Sequence, residues 1–313
     1  MAFQAPVETS TAKIRELTLG SKKTVTVGGQ NALAFHSFEG TLPNGPKIAM
    51  EVFDTTPADW ADELKSVLGD VWADPVAWAK KCEGEFGADI ICLQLAGTDP
   101  NGANRSVADA VATVKAVVDA ISAPLMVYGS GNVEKDAELL KAVAEATQGK
   151  NVVIGVAVEE NYKSIGAAAM GFGAKVSGET PIDVNMAKQL NILLTNLGVS
   201  VDNLLIDPST GALGYGLEYC FSIHERIKIA ALKQNDTMLQ APTIANLGKE
   251  VWRAKEAKIT QSEAPQWGDS RKRGIVWEAL TATAVMMAGA DILIMRHPEA
   301  VKLIRKTIAE LGA

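Results

Sequence analysis

Residues 204 to 230, LLIDPSTGALGYGLEYCFSIHERIKIA, run from an apolar stretch through a glycine-rich loop into a long amphipathic segment. Leu204, Leu205 and Ile206 are apolar without alternation, as expected of a strand covered on both faces in a parallel sheet. Asp207-Pro208 ends the strand, because proline has no N–H to give the ladder. Ser209, Thr210, Gly211 and Gly214 then supply turn chemistry before a helix. A loop at a strand's carboxyl end is where α/β folds place ligands, and in a barrel all such loops gather on one face.

The same unit recurs along the chain. Strands are predicted at Ile48 to Phe53, Ile90 to Leu95, Leu125 to Tyr128, Val152 to Val158, Ala174 to Val176, Leu204 to Ile206, Met238 to Gln240 and Ile292 to Met295. Each is followed by a helical pattern. Pro75 suits the first position of one helix, Ser106 with Asp109 caps another, and Asp183 caps the helix carrying Leu190, Leu194 and Leu197. About eight alternating β and α segments predict a (β/α)8 barrel over residues 46–313, with a doubly wound open sheet as the rival. Before it, residues 1–45 read as an extension: a short helix through Ile14 and Leu17, then a hairpin in 24–40 placed to plug the barrel's bottom. The polar stretch 260–274 is the one long insertion.

With 313 residues and 47% hydrophobic content the chain can bury a large core. A net charge of −7 and the lack of any Lys/Arg cluster leave no electrostatic footprint for nucleic acid. No apolar run approaches the ~20 residues of a membrane span, and the start of the chain lacks a secretory pattern. These features predict no membrane association and a cytoplasmic location. Cys82, Cys92 and Cys220 form no C-x-x-C pair and read as small buried hydrophobes. An iron-sulfur cluster needs about four thiolates, more than this chain supplies.

Polar residues at the predicted strand ends are Asp54, Asp99, Asn132, Asn161, Ser177, Asp207, Asn246 and Arg296. The set is rich in amides and poor in catalytic pairs. There is no Ser-His-Asp order, no H-E-x-x-H and no Walker-type glycine-lysine motif. GALGYG (211–216) lacks dinucleotide spacing and reads first as a turn, yet its glycines let main-chain N–H groups approach a polar ligand. His36 and His224 read as structural; His297 either faces the pocket mouth or, with Pro298, starts the last helix. Asp207 before proline can equally cap its own turn. Trp267, an aromatic in a polar insertion, is either a partner contact or local packing.

Several runs together carry a family resemblance: VGGQNALAFHSFEG (27–40), DPNGANRSVADAVATVK (99–115), EENYKS (159–164), KQLNILL (188–194), IDPSTGALGYGLEYCFSIHERI (206–227) and WEALTATAVMMAGADILIMRHPEAV (277–301). They resemble the small subunit of the bacterial corrinoid iron-sulfur protein, related to the delta subunit of acetyl-CoA decarbonylase/synthase complexes. The resemblance spans nearly the whole chain. It implies a barrel, similar to those of pterin-binding methyltransferases, that pairs with a large subunit carrying the [4Fe-4S] cluster and most of the cobamide-binding surface. The heterodimer would carry a methyl group of the reductive acetyl-CoA pathway, meeting a methyltetrahydrofolate methyltransferase and acetyl-CoA synthase transiently. The chain would have no catalysis of its own. Amide- and glycine-rich loops suit the acetamide rim of a corrin ring, and the residues expected to meet it are Asn104, Asn132, Asn161, Ser209, Gly214, Tyr215, Asn246 and Arg296. The competing expectation is a stand-alone pterin-dependent methyltransferase using Asp99, Asn132 and Asp207. A barrel lyase is disfavoured because the strand ends carry no lysine or metal triad.

Overall fold

The computed structural model describes residues 6–312. A two-stranded antiparallel hairpin, β1 (Leu17–Leu19) and β2 (Val25–Val27), precedes eight parallel strands: β3 (Lys47–Phe53), β4 (Ile90–Gln94), β5 (Leu125–Tyr128), β6 (Val153–Ala157), β7 (Lys175–Glu179), β8 (Leu204–Asp207), β9 (Ile244–Ala245) and β10 (Ile292–Met295). The sheet runs β8-β7-β6-β5-β4-β3-β10-β9. A bridge between Ile206 and Thr243 joins the two ends, so the strands form the predicted barrel.

Helices cover the outside: α1 (Asp62–Leu68), α2 (Pro75–Gly84), α3 (Val107–Ala120), α4 (Val133–Ala146), α5 (Tyr162–Phe172), α6 (Val184–Leu197), α7 (Leu217–Leu232), α8 (Leu247–Arg253), α9 (Lys255–Lys258), α10 (Ser270–Met287) and α11 (Pro298–Leu311). Their starts follow the local chemistry of the sequence. Asp74 accepts from the N–H groups of Val76 and Ala77 at 2.9 and 3.3 Å, with Pro75 at the first helical position. Ser106 accepts from the Asp109 N–H at 3.1 Å, and Asp183 from Asn185 and Met186 at 2.7 and 3.0 Å. All three cysteines are buried. Among the described residues no helix is long and apolar enough to cross a membrane.

Alternation along each strand separates two cores. Outward positions such as Ile48, Met50 and Val52 pack under the helices. Inward positions, among them Ala49, Ile90, Met126, Val153, Ile244 and Ile292, pack with Leu17, Leu19, Val25 and Val27. The hairpin therefore plugs the barrel's base, as the sequence predicted, although it is built from earlier residues than expected. Leu17 lies in a strand instead of a helix, and the hairpin turns at Gly20 rather than at the glycine pair. Gly28 and Gly29, both at positive φ, instead lead the chain back beside residues 14 and 15: a Cβ on Gly28 would stand 2.0 Å from the Arg15 carbonyl oxygen.

One barrel strand also moves. Met238 to Gln240, the predicted seventh strand, lies in a turn, and pairing begins only at Thr243. Pro242 stands just ahead of the strand, its carbonyl accepting from the Ile206 N–H at 2.9 Å. A proline before the first residue is compatible with a ladder in a way that one inside it is not. The insertion at 260–274 is held by Arg273, whose guanidinium donates to the carbonyls of Glu256, Ile259 and Gly268 at 2.8 to 3.0 Å. Trp267 lies against the same guanidinium, 5.6 Å from its ring centroid, and stays 41% exposed.

Candidate functional site

Above the plugged base, the inward positions become polar. The parity that points Ala49, Leu205, Ile244 and Ile294 into the barrel also brings in Glu51, Asp207, Asn246 and Arg296, and on the neighbouring strands Gln94, Tyr128, Ser177 and Glu179. Pairing brings these groups together across the sheet. Met295 is level with Met50, so the next step sets Arg296 beside Glu51, and Glu179 is level with Asp207. Tyr128 and Ser177 share a hydroxyl hydrogen bond of 2.9 Å.

Arg296 is the most heavily tied of these groups. Its guanidinium pairs with Glu51 and lies over Phe53 and Trp60, at 5.4 and 4.6 Å from the ring centroids. Trp78 completes the aromatic cluster. From behind, the fully buried Glu278 of α10 accepts from the Arg296 N–H at 2.5 Å, the His297 N–H at 3.1 Å and the Trp252 indole at 2.8 Å. His297 does not reach into the mouth. Its Nδ1 caps α11 by accepting from Glu299 at 3.1 Å, and its ring stacks on Trp252.

The opposite wall holds an acidic pair. Burial, and then the neighbouring Glu179, push the Asp207 carboxyl well above its usual range. Burial raises Glu179 too. Asp207 lies deeper, with 1% exposure, and is the member that holds the proton more tightly. One of its oxygens accepts from the Ser209 N–H at 3.0 Å; the other has no partner. Asn246 Oδ1 and Thr180 Oγ1 are likewise buried without partners among the described residues. These three atoms stand at the carboxyl ends of β7, β8 and β9, which are consecutive round the barrel. Beside them a cleft of about 500 Å³ opens between the β6, β7 and β8 loops and α6, lined by Glu159, Glu160, Thr180, Met186 and Ser209.

The expected contact residues all lie at this end of the barrel, on six of its loops, but they present different groups. Asn132 and Asn161 each use the side-chain oxygen locally, accepting from Lys135 at 3.0 Å and Val158 at 2.8 Å. Their amide N–H groups are what remains to offer. Asn104, at φ 46°, and Gly214 are exposed, and Tyr215 is 81% exposed. Ser209 turns its loop at φ 62° while its hydroxyl accepts from Gly211 at 3.1 Å. Asn246 and Arg296 sit within the mouth, both 8% exposed. Asp99 is occupied by a turn, accepting from Asn101 at 2.8 Å, and so lies apart from Asp207 in role.

Sequence reasoning missed Glu51, Glu179, Glu278 and Asp136. Glu51 leaves a trace, a lone carboxylate within the apolar run IAMEVF, which has to find a buried partner. Asp136 receives the N–H groups of Ser130 and Gly131, each at 2.8 Å, and so fixes the GSGN loop. Its carboxyl fills the space where a Cβ on Gly129 would stand, 2.2 Å from Asp136 Cγ. Burial raises the thiols of Cys92 and Cys220. No group of three or more His, Cys, Asp or Glu side chains among the described residues could hold a metal ion. What the mouth offers is a ring of hydrogen-bond donors and acceptors, with a carboxyl that can serve as either.

The profile of the CO dehydrogenase/acetyl-CoA synthase delta subunit matches residues 16–308. The acetyl-CoA decarbonylase/synthase complex subunit delta of Archaeoglobus fulgidus is 37% identical over 99% of this chain and 71% of its own length. That of Methanopyrus kandleri is 36% identical over 91% of this chain and 70% of its own. Among solved structures, a dihydropteroate synthase of Xanthomonas albilineans in complex with indole-2-carboxylic acid and 6-chloroguanine aligns with a TM-score of 0.57 at 14% identity, over 90% of this chain and 98% of that one. The Stenotrophomonas maltophilia enzyme, with imidazole in its active site, gives 0.56 at 16% identity over 90% and 99%. At such identity the likeness is one of fold.

Proposed function

The chain belongs to the CO dehydrogenase/acetyl-CoA synthase delta-subunit family, and from that premise we propose that it is the small subunit of a corrinoid iron-sulfur methyl carrier. In this reading it pairs in the cytoplasm with a large subunit that holds the [4Fe-4S] cluster, and its barrel mouth covers the cobamide between them. A methyltetrahydrofolate methyltransferase and acetyl-CoA synthase are the transient partners. When bound, the corrinoid supplies the cobalt that receives and passes on the methyl group.

The observation that carries the reading is the row of three buried, unpartnered polar atoms, Thr180 Oγ1, Asp207 Oδ2 and Asn246 Oδ1, at adjacent strand ends. Buried polar groups are rarely left unpaired, so a row of them points to a ligand or partner that completes them. A ring edged with primary amides offers both the donors and the acceptors such atoms need, and Asn132 and Asn161 can donate in return. Asn104, Ser209, Gly214 and Tyr215 would meet the same rim from their loops. For Arg296, already paired with Glu51 and stacked, the fitting role is to hold the mouth's edge in place. The mouth's residues act by binding and by excluding water, and none is placed as a nucleophile with its base.

Partnership has separate support on the barrel's flank. Val276, Leu280 and Met287 line the outer face of α10 and are 54%, 61% and 49% exposed. Their spacing of four and seven residues makes one apolar stripe, and the adjoining α11 exposes Leu303 as well. A second chain would cover it.

Anaerobic purification of the chain with and without the large subunit, followed by absorption spectra and mass, tests the reading. The expected product is a stoichiometric heterodimer that retains cobamide absorption, with none retained by this chain alone. A colourless monomer that ignores the large subunit yet binds methyltetrahydrofolate would overturn it in favour of a pterin-dependent methyltransferase.

A further inference from the structure

The pole opposite the mouth carries a second cavity. It has a volume of about 320 Å³ and opens where the strands β3 and β10 begin, between the segment after the hairpin and the ends of α7, α10 and α11. Its walls are apolar, with Ala32, Phe35, Leu42, Pro46, Met286 and Leu311 among them. Its buried polar lining comes from Gln30, Lys228 and Asp291, which are 8%, 2% and 6% exposed, while Ser37, exposed, and Asn44, half-buried, line it nearer the surface. The size is at the lower end of small-molecule sites, which run from about 300 Å³ upward.

The polar lining has a definite unmet valence. Asp291 accepts from Lys228 Nζ at 2.5 Å, Gln30 Nε2 at 2.7 Å and the Thr243 N–H at 2.6 Å. The orientation of Gln30 follows from chemistry, since only its NH2 can donate to a carboxylate. That leaves Gln30 Oε1 buried with no donor among the described residues. An ammonium has three N–H groups, and Asp291 is the one acceptor that Lys228 Nζ meets among the described residues. Lys228 is further built into the site by Gly289, at φ +105°, over which the lysine stem passes: a Cβ there would stand 2.9 Å from Lys228 Cγ. The buried part of the lining thus presents one unpartnered acceptor, Gln30 Oε1, and spare donors, with its charges already paired.

We propose that this basal cavity binds a small neutral molecule with one or two rings, bearing an amide or lactam edge. The ligand's N–H donates to Gln30 Oε1, its carbonyl accepts from Lys228 Nζ, and its apolar body lies against Phe35, Met286 and Leu311. A carboxylate ligand is disfavoured because Asp291 already neutralises Lys228 and would repel it. The site stands at the far end of the barrel from the mouth and rests on none of the reading given for it.

The test titrates the full chain with 2-quinolone, a neutral lactam of two fused rings, and with 2-methoxyquinoline, which keeps the rings but has no N–H. Binding is read by calorimetry and by chemical-shift changes. The expected result is saturable one-to-one binding of 2-quinolone, weaker for the methoxy analogue by about tenfold or more, because the analogue leaves the buried acceptor unpaired. Gln30→Met should weaken 2-quinolone by a similar factor. As a second variant that leaves the Asp291 network intact, Ala34→Trp at the half-buried wall should abolish binding of both compounds. Failure of wild type to bind 2-quinolone, equal binding of the two compounds, or undiminished binding by a folded Ala34→Trp chain would each overturn the proposal.

Discussion

His224 gives the sharpest quantitative test of the physical reasoning. It lies on α7 with no exposed surface, and neither ring nitrogen has a partner among the described residues. Burial, and then the nearby Lys228, pull its imidazole down from 6.5 to about 3. A lowered folded-state value means that the unfolded chain takes up the proton first. Stability from this group is therefore complete above 6.5 and is lost as the pH falls toward 3. Between about pH 7.5 and about pH 5 the unfolded imidazole gains roughly 1.5 units of protonation free energy that the folded one does not, a loss of about 2 kcal/mol. His224→Leu removes this titration. It also removes two unsatisfied buried nitrogens, so at neutral pH the variant should be as stable as wild type or more so, by up to ~2 kcal/mol, within the usual cost of a shape change. Urea unfolding at the two pH values measures both quantities. All other titrating groups, including His297 at about 4, are common to the two proteins, so the difference in their pH dependence isolates His224. Equal losses of stability in both would refute the assignment of a buried, unpartnered imidazole.

Glu278→Ala strands three buried donors, the N–H groups of Arg296 and His297 and the Trp252 indole, and chemical denaturation should show a loss of about 3 to 5 kcal/mol. Asp207→Asn mimics the protonated acid. Because the folded carboxyl sits above its ordinary 3.8, wild type loses stability as the pH rises beyond that value, and the variant should be more stable at pH 7 with the advantage gone in acid, as thermal melts at the two extremes will show. Gly129→Ala forces its new carbon against Asp136, and hydrogen exchange should report lost protection at Ser130 and Gly131 with a global cost of about 2 to 4 kcal/mol. Leu280→Lys on the exposed face of α10 should leave the chain's own stability within about 0.5 kcal/mol, yet weaken association with the large subunit by about tenfold or more in sedimentation or biosensor assays; unchanged affinity would place the interface elsewhere.

Local chemistry in the sequence determined the barrel and its order. Unbroken apolar runs ending at Asp, Pro or Gly marked the strands, and Asp74, Ser106 and Asp183 started helices where their side chains now accept from the first turn, because caps and strand ends are written within three or four residues. The same signals put the amide-bearing loops at one end and a hairpin at the other. They failed where a short element takes its register from distant chain. Leu17–Leu19 is a strand because Val25–Val27 pairs with it and the barrel's base receives both, and β9 is two residues fixed by its neighbours, with no pattern of its own. Only the tertiary structure decided what the mouth is made of. Glu51 and Arg296 are 245 residues apart in the chain, and strand alternation says that each points inward without saying which groups will meet. Barrel closure and register bring them together, set Glu179 beside Asp207, and leave polar atoms at three adjacent strand ends without a partner among the described residues. Burial then raises the Asp207 carboxyl and lowers the His224 imidazole, shifts that depend on distance and dielectric and are invisible to residue order.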